Sequence, residues 1–468
     1  MTGILPPGEA RFDASVPVLI VGAGACGCTA ALAARQHGAE VMLLERDAVP
    51  RGNTALSGGQ IPAAGTRLQR AAGIDDTPEI LTRDLIRKAR GQNDGALARH
   101  VAHESARTVE WLVDAHGVPL AVVDDFLYPG HSRHHMHATP GRYGVELVTA
   151  LLEAVGRAKV DLVTSALVSD LFADETGRVH GVRVTRPDGT TDDVGCQALI
   201  LACNGFGGNP AMVRQYIPEM ADAHYHGHEG NTGDAVRWGL ALGGTVADMA
   251  SFQGHGAVTT PHHIHIGWPA ITEGGFQVNV HGVRFSNENA GYSEQALAVL
   301  RQPGGVAWTI FDERGHAVAL QIHAHLLALE AGAIHTAATV ADVARLAGCP
   351  PEPLARTVRD VEAMARGEAR DPFGRDFTGH PALRPPYRIA KVTGALFHTQ
   401  GGLVVDRQAR VLRPDGTPLP NLFAGGGAAR GLSGPADWGY LSGSGLLMAT
   451  NLGRFAGEAA AELVRSVP

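Results

Sequence analysis

Residues 18–45 are the part of the sequence that most constrains the fold. Residues 18–21 form a short apolar run typical of a strand buried on both faces. Three glycines follow in G-x-G-x-x-G spacing, then an alanine-rich segment that predicts a helix ending near Gly38. Residues 41–44 predict a second buried strand. A strand–turn–helix–strand unit of this kind presents free N–H groups at the helix N-terminus to a phosphate.

The glycines and an acid in this unit predict a dinucleotide site. Gly22 makes the tight turn, Gly24 lets the backbone approach a pyrophosphate, and Gly27 lets the helix pack on the strand. Glu45 lies 18 residues beyond Gly27, where an acid takes the ribose hydroxyls. The unit alone does not distinguish FAD from NAD.

Length and composition narrow the class of protein. A chain of 468 residues is too long for one core, and a net charge of −8 argues against a nucleic-acid partner. No apolar stretch is long enough to cross a bilayer, and residues 1–14 lack the pattern of a signal peptide. The five cysteines show no metal or haem spacing. We therefore expect a cytoplasmic protein with no membrane partner.

The order of patterns along the chain predicts two domains. Residues 78–116 show the periodicity of two helices, and strand patterns between 160 and 202 indicate an antiparallel insertion. From about residue 251 the chain contains His/Gly-rich loops, a strand pair at 276–285 and several helices, including one at 316–331. The glycine-rich, αβ-like end resembles the start. We expect one discontinuous domain, residues 1–250 and 395–468, with a second domain, residues 251–394, inserted into it.

Six motifs in chain order resemble those of the flavoprotein family of soluble fumarate reductases, succinate dehydrogenase flavoprotein subunits and 3-ketosteroid Δ1-dehydrogenases. They comprise the start at 18–45, the loop at 52–59, and the segments at 202–209, 231–234, 398–402, and 423–427 with 440–446. The resemblance covers nearly the whole chain. It implies FAD rather than NAD, and an α/β fold with a Rossmann-like (glutathione-reductase-type) FAD-binding domain interrupted by an α+β catalytic or capping domain.

The resemblance also implies which residues contact FAD. Asn53 stands where members that attach FAD covalently have a histidine, so we expect non-covalent FAD. Gly427 stands where the family often has an acid, so one contact to the ribityl chain of FAD is expected to be missing. No metal is predicted. The expected FAD contacts are Gly22, Gly24, Ala25, Gly27, Glu45, Arg46, Asn53, Thr54, Ser57, Gly58, Gly59, Val168, Ala202, Asn204, Gly205, Asn209, Asp234, Gly426, Ser444 and Leu446.

Two tyrosines stand where fumarate reductases have arginines. Tyr292 follows an R-F-x-N-E motif at the position of the proton-donating arginine, and Tyr440 replaces the arginine that clamps a substrate carboxylate. A phenol cannot clamp a carboxylate with two hydrogen bonds as a guanidinium does. The pair resembles the ketosteroid dehydrogenase pattern. That pattern implies that Tyr292 removes a proton α to a ketone, while Tyr440 and a backbone N–H, that of Ser444, hold the ketone oxygen, and the β-hydrogen leaves as hydride to flavin N5.

Several retained polar residues resemble the carboxylate-binding or proton-relaying positions of fumarate reductases. They include His255, His398 and the pair Thr272–Glu273, and the resemblance implies that the two histidines orient the substrate. The histidine-dense segment 131–137 either adds to this site or is a solvated surface loop. The chain is also shorter than typical ketosteroid dehydrogenases, which favours a small cyclic ketone or keto acid, such as 4-oxocyclohexanecarboxylate, as the substrate.

The sequence therefore predicts an FAD-dependent dehydrogenase (desaturase) that introduces a C=C bond α,β to a ketone, and an electron acceptor that it does not identify. Two alternatives stay open. One is a fumarate-reductase-like reductase of an activated alkene, which runs the chemistry in the opposite direction. The other belongs to another class, a flavin-binding redox sensor without turnover.

Overall fold

The computed structural model describes residues 3–466, so the outermost two residues at each end of the predicted FAD-binding domain lie outside the described residues. Its strands, in chain order, are β1 (Ile4–Leu5), β2 (Ala14–Val21), β3 (Val41–Leu44), β4 (Ile61–Pro62), β5 (Ala121–Val122), β6 (Met136–Ala138), β7 (Asp161–Val163), β8 (Leu167–Ala173), β9 (Val179–Thr185), β10 (Thr191–Leu201), β11 (His224–Tyr225), β12 (Val246–Ala247), β13 (Phe252–Thr259), β14 (Phe276–Val278), β15 (Val306–Asp312), β16 (His335–Ala337), β17 (Tyr387–Thr399), β18 (Gly402–Leu403), β19 (Arg410–Leu412) and β20 (Pro418–Ala424).

Its α-helices are α1 (Ala25–Gln36), α2 (Gly52–Leu56), α3 (Arg67–Ala71), α4 (Pro78–Lys88), α5 (Gly95–Asp114), α6 (Gly144–Arg157), α7 (Pro210–Tyr216), α8 (Asp234–Ala241), α9 (Pro269–Thr272), α10 (Tyr292–Leu300), α11 (Glu313–Ala319), α12 (His323–Glu330), α13 (Val340–Ala347), α14 (Pro351–Ala365) and α15 (Ser444–Ser466). Within residues 3–466, no helix combines the length and apolar character needed to cross a bilayer.

The first sheet has a parallel centre. Its strand order is β1-β8-β9-β10-β2-β3-β7, and β20 pairs with β10 beside β9. The strands β7, β3, β2, β10 and β20 run parallel, while β9 is antiparallel to β8 and β10. Val18, Leu19 and Ile20 of β2 are fully buried, as expected for a strand covered on both faces. Because both ends of the chain supply strands to this sheet, the predicted fold class is confirmed.

The second sheet is organised around the long strand β17. β17 pairs with β11, β13, β15 and β16, and β14 pairs with β15. β11 joins this sheet although its two residues precede residue 251, the boundary expected from composition. Because β13 and β17 carry His255 and His398, this sheet presents both predicted histidines from neighbouring strands. The limits of the second domain stay a prediction.

Two predictions about this second region are wrong. The strand pair expected at 276–285 is a single strand, β14, because Arg284 leaves the ladder to enter a buried ion network with Glu288 and Asp371. The single helix expected at 316–331 is two helices, α11 and α12. The chain turns between them, and the Ile322 side chain at that turn faces a cavity.

Helix α15 approaches α1 closely because two of its residues lack side chains. A Cβ on Gly453 would lie 2.4 Å from the carbonyl oxygen of Cys26, and one on Gly457 would lie 2.2 Å from that of Ala30. Such separations are shorter than van der Waals contact. The glycines therefore let the last helix of the chain pack directly on the helix of the dinucleotide motif.

We expect the Gly457→Ala variant to be less stable by about 1–3 kcal/mol, because the added methyl group must displace the α1 backbone. Gly156→Ala is the matched control: Gly156 is an exposed glycine of α6, and a Cβ added there would meet no atom within 4 Å. That variant should be neutral or more stable by about 0.5–1 kcal/mol. Thermal unfolding followed by circular dichroism tests both, and equal midpoints would contradict the close-packing argument.

Candidate functional site: two joined cavities

The first cavity lies where β2, β3 and β10 end, and encloses about 850 Å³. Gly22 has φ of +103°, and a Cβ there would lie 2.6 Å from the Ala202 carbonyl oxygen. The turn between β2 and α1 therefore requires a glycine both for its conformation and for its contact with β10. It leaves Gly24 and the α1 N-terminus on the cavity wall, as an anion site at a helix N-terminus requires.

Glu45 presents a fixed carboxylate to this cavity. Its Oε2 accepts the N–H of Ala23 at 2.9 Å, and its Oε1 accepts that of Asp47 at 3.0 Å. On the other side of the turn, Thr54 Oγ1 accepts the N–H of Ala25 at 2.9 Å. These bonds tie the end of β3 and the loop at 52–59 to the start of α1.

The second cavity is larger, about 1380 Å³, and adjoins the first. The two share six wall residues, so they form one elongated space rather than two separate sites. The shared residues are Asn53, Thr54, Asn204, Gly426, Gly427 and Ala449.

The residues of this space fit FAD. The first cavity offers a glycine cradle, a helix N-terminus and a carboxylate, which suit the pyrophosphate and the adenosine ribose. The second cavity leaves room beyond the shared wall for a ring system and a substrate. Asn53 stands at their junction, and its Oδ1 accepts the N–H of His228 at 2.7 Å and the Nδ2 group of Asn231 at 2.9 Å. With an amide there, the chain offers no imidazole for covalent attachment at this position.

The structure brings most of the predicted residues to these walls. Both cavities contain Asn53, Thr54, Asn204 and Gly426. The first cavity adds Gly22, Gly24, Ala25, Glu45, Arg46, Val168, Ala202 and Asp234. The second adds Ser57, Gly58, Leu446, Tyr292, Tyr440, His255 and His398.

Five predicted residues line neither cavity, for reasons of packing. A Cβ on Gly27 would lie 1.8 Å from the Gly22 carbonyl oxygen, one on Gly59 would meet the α6 start, and one on Gly205 would meet Thr399. These glycines permit backbone contact. Asn209 caps α7 by accepting two backbone N–H groups, and Ser444 is the first residue of α15.

Tyr292 and Tyr440 face each other in the second cavity. Tyr292 begins α10, after a turn at Gly291 with φ of +148°. Tyr440 precedes the turn into α15. Their ring centroids are 6.2 Å apart and their planes meet at 60°. The two substituted positions therefore share one space, as ketone chemistry at this pair requires.

The R-F-x-N-E motif fixes the backbone that leads to Tyr292. The guanidinium of Arg284 pairs with Glu288 at 2.7 Å and with Asp371 at 2.6 Å, and Glu288 also pairs with Arg375 at 3.1 Å. All four side chains are almost fully buried, so each charge depends on its partner. The motif thus anchors the turn that leads to Tyr292 and is not part of the cavity wall.

Both phenols are held in their protonated form. Burial raises the pKa of Tyr292 well above its ordinary value, and the neighbouring Tyr440 raises it further, while the Ser442 hydroxyl opposes the shift. Burial raises the pKa of Tyr440 to about 12, with hydrogen bonds from Gly445 and Gly443 opposing it. Tyr292 is therefore a neutral phenol at rest, and its pKa is shifted in the direction opposite to that of a ready base.

The predicted backbone donor is different. The N–H of Ser444 donates to the Leu441 carbonyl oxygen at 3.0 Å in the turn that starts α15, so it cannot hold a substrate oxygen. The next residue, Gly445, lines the cavity, and its backbone N–H is one of the groups that hydrogen-bond the Tyr440 hydroxyl. The first N–H groups of a helix have no intrahelical partner, so this group is suited to bind an oxygen there.

The two predicted histidines are neutral. Burial lowers the pKa of His398 to about 4 and that of His255 well below its ordinary value. The His255 ring stacks between Tyr292, with centroids 5.1 Å apart, and Phe397, at 5.2 Å. Gln400 Nε2 lies 3.0 Å from His398 Nδ1. Both imidazoles are thus positioned as neutral hydrogen-bonding groups, and neither is a resting proton donor.

The histidine-dense segment 131–137 is structural. Three of its four histidines are buried, so it is not a solvated surface loop. His135 is held by Asp76 at 2.7 Å, and His131 Nε2 lies 3.0 Å from the carbonyl oxygen of Ser442. The segment therefore supports the loop between Tyr440 and α15 from behind. Within residues 3–466, no group of three or more acidic, histidine or cysteine side chains is arranged to hold a metal.

The sequence reasoning missed four titratable residues of the second cavity. Tyr128 lines it, and its hydroxyl accepts a hydrogen bond from Gln60 at 3.0 Å. The others are His226, His265 and Arg142. A tyrosine in a histidine-dense loop carries no motif, so only the fold reveals these contacts. By contrast, the expected pair Thr272–Glu273 lines neither cavity, and Glu273 contacts His380 instead.

Comparisons with known proteins identify relatives in sequence and in fold. A probable fumarate reductase of Shewanella frigidimarina (strain NCIMB 400) is 31% identical over 451 residues, which cover 95% of this chain and 74% of that protein. The solved open conformation of a flavocytochrome c3 fumarate reductase has a TM-score of 0.81 at 29% identity, over 98% of this chain and 80% of that one. A 3-ketosteroid-Δ4-(5α)-dehydrogenase of Rhodococcus jostii RHA1 has a TM-score of 0.76 at 25% identity, over 97% and 98%.

The fold and the joined cavities define a flavin-dependent oxidoreductase that acts on CH–CH groups. The cofactor is FAD. The chain belongs to the FAD binding domain family, whose model matches residues 17–446, and its homologues include fumarate reductases.

Because Asn53 replaces the attaching histidine, we expect acid precipitation of the FAD-loaded protein to release all of its flavin. The measurement is flavin absorbance in the supernatant and in the pellet. The Asn53→Asp variant serves as a control that also lacks an imidazole and should release flavin in the same way. Yellow colour that stays with the precipitated chain would contradict non-covalent binding.

Proposed function

We propose that this protein is an FAD-dependent dehydrogenase (desaturase) that introduces a C=C bond α,β to the ketone of a small cyclic substrate. Keto acids such as 4-oxocyclohexanecarboxylate belong to this substrate class. The observation that carries the proposal is the meeting of two phenols and the Gly445 N–H in one cavity beside the shared cofactor wall. The physiological electron acceptor is not identified.

The three groups have separate roles in the proposed reaction of a ketone. The Tyr440 hydroxyl and the Gly445 N–H stabilise the negative charge that develops on the ketone oxygen, which acidifies the neighbouring C–H bond. Tyr292, once ionised, accepts the α-proton at its phenolic oxygen, and the electron pair of that C–H bond forms the new C=C bond. The β-hydrogen leaves with its electron pair, and FAD supplies the acceptor of this hydride. The substrate thus loses one proton and one hydride.

The shape and charge of the cavity argue against a dicarboxylate. Where a second carboxylate would need a guanidinium, the chain has Tyr440, whose single O–H cannot form a two-bond clamp. His255 and His398 are neutral and add no compensating charge. A ketone oxygen, which carries no full charge before the reaction, suits this environment better than a second carboxylate.

The raised pKa of Tyr292 also supports the reverse reaction as a second candidate. A phenol that stays protonated can donate its proton to the α-carbon, and bound FAD in its reduced form would be the source of the hydride for the β-carbon. The enzyme would then reduce an activated alkene. This candidate keeps the same residues and differs only in direction.

We expect Tyr292→Phe to slow flavin reduction by a cyclic ketone about 10²–10⁴-fold, since it removes the base. Tyr440→Phe should cost about 10²–10³-fold, since it removes one donor to the developing oxyanion. Tyr216→Phe is the control, because Tyr216 packs against Phe206 outside both cavities. The measurement is anaerobic bleaching of the flavin band on mixing with 4-oxocyclohexanecarboxylate or cyclohexanone. Full-rate bleaching by Tyr292→Phe would contradict the assigned role.

We expect the rate of flavin reduction by the ketone to rise between pH 6 and pH 9. The pKa of Tyr292 is raised by burial, so in this range only the small phenolate fraction is active, and it grows about tenfold per pH unit. Flavin reoxidation by the matching enone needs the phenol and should not fall over the same range. Stopped-flow absorbance measures both rates. A ketone rate independent of pH would show that ionisation of Tyr292 does not limit the reaction.

A further inference from the structure

Arg142 is the only lysine or arginine, within the described part of the chain, that lines the second cavity. It lies in the loop before α6, with φ of +51°, a conformation that costs a non-glycine residue energy. Its backbone N–H donates to the Thr139 carbonyl oxygen at 2.9 Å, which holds the loop in this conformation. A side chain that the sequence reasoning passed over thus carries the one permanent positive charge on the cavity wall.

The guanidinium of Arg142 is held from one side only. Its Nη1 donates to both carboxylate oxygens of Asp125 at 2.8 Å and to Gln321 Oε1 at 3.1 Å. Among residues 3–466, these contacts engage Nη1 and leave Nη2 and Nε outside the network. The head group is therefore oriented by two partners and still has donors for a third.

Arg142 and the tyrosine pair line the same cavity, and Tyr128 and Gln60 line it with them. Tyr128 is electrostatically coupled to both: it is one of the groups that raise the pKa of Tyr292, and the charge of Arg142 in turn acts on Tyr128. Gln60, which lines the same wall, donates to Tyr128 and has a buried Oε1 without a partner among the described residues. A ring bound with its ketone at Tyr440 would thus share this cavity with the Arg142 guanidinium.

We propose that Arg142 binds a carboxylate on the far side of the substrate ring and makes the enzyme selective for cyclic keto acids over neutral cyclic ketones. This inference rests on the proposed function for the placement of the ketone. A guanidinium offers a planar fork of N–H donors that matches a carboxylate. The histidines that line the same cavity do not replace it, because burial lowers the pKa of His226 to about 4 and that of His265 to about 3.

Substitutions of the two partners of the Arg142–Asp125 ion pair should change carboxylate binding in opposite directions. Asp125 orients the guanidinium, but its negative charge also repels an incoming carboxylate. If the pair were only a structural clasp between the loop and Gln321, removal of either partner would weaken ligand binding alike. A carboxylate subsite predicts that Arg142→Gln weakens acid binding and that Asp125→Asn strengthens it.

Cyclohexanecarboxylate tests the subsite without any reaction, because it has no ketone. Its binding to the FAD-loaded protein is measured by the change in flavin absorbance, against cyclohexanecarboxamide as the neutral probe. We expect the ratio of the two dissociation constants to favour the acid in the unmodified chain. Arg142→Gln should shift this ratio against the acid by at least tenfold, and Arg142→Lys by less. Arg366→Gln, an exposed ion-pair control outside both cavities, should not change it.

Turnover separates the inference from the proposed function. The ratio of kcat/KM for 4-oxocyclohexanecarboxylate to that for cyclohexanone should fall at least tenfold in Arg142→Gln. An unchanged ratio, with cyclohexanone still bleaching the flavin, overturns the carboxylate subsite and leaves ketone dehydrogenation intact. If neither ketone bleaches the flavin but the inert acid still binds in an Arg142-dependent way, the subsite stands and the dehydrogenase proposal fails. Equal losses in Arg142→Gln and Asp125→Asn overturn the subsite.

Discussion

The structure depends on backbone meeting backbone around the start of α1. Gly22 touches β10 at Ala202, Gly27 touches Gly22 itself, and Gly453 of α15 lies against Cys26. A Cβ on any of these three glycines would clash with the neighbouring backbone. Because three distant parts of the chain converge here without side chains between them, the start of α1 lies on the wall of the first cavity, which is joined to the second by the residues that both share.

The same convergence of segments positions the two tyrosines. Because α15 packs on α1, its first turn lines the second cavity and Ala449, in the next turn, belongs to the wall that both cavities share; the loop with Tyr440 leads directly into this helix. Tyr292 is the first residue of α10 and follows a turn that the buried Arg284 network holds in place. Two elements far apart in sequence therefore present phenols to one space, and burial keeps both protonated. In the proposed reaction, a ketone oxygen bound at Tyr440 and the Gly445 N–H meets donors that are already in place.

The sequence reasoning could predict the features that depend only on residues close together in the chain. The turn at Gly22 and the acid at Glu45 follow from spacing, since each is dictated by neighbours within one βαβ unit. It failed where the detailed geometry of a turn, or a contact from a distant segment, decides an atom's partner. The N–H of Ser444 is consumed by a turn whose geometry no motif encodes. Tyr128 and Arg142 reach the cavity only because their loop packs beside the 52–59 segment. A resemblance to a family indicates which positions form the site. The direction of a pKa shift depends on burial, which only the fold determines.

The replacement of two guanidiniums by two phenols changes what the cavity can stabilise. Two arginines neutralise charges that a dicarboxylate brings with it. Two buried phenols among neutral imidazoles offer hydrogen bonds but no charge, so they favour a substrate that is uncharged at this end and becomes negative only as it reacts. In our proposal, Arg142 holds a permanent anion away from the reacting atoms, without competition for the Tyr440 hydroxyl. In such an arrangement, binding and activation of one small ring are assigned to opposite ends of the cavity.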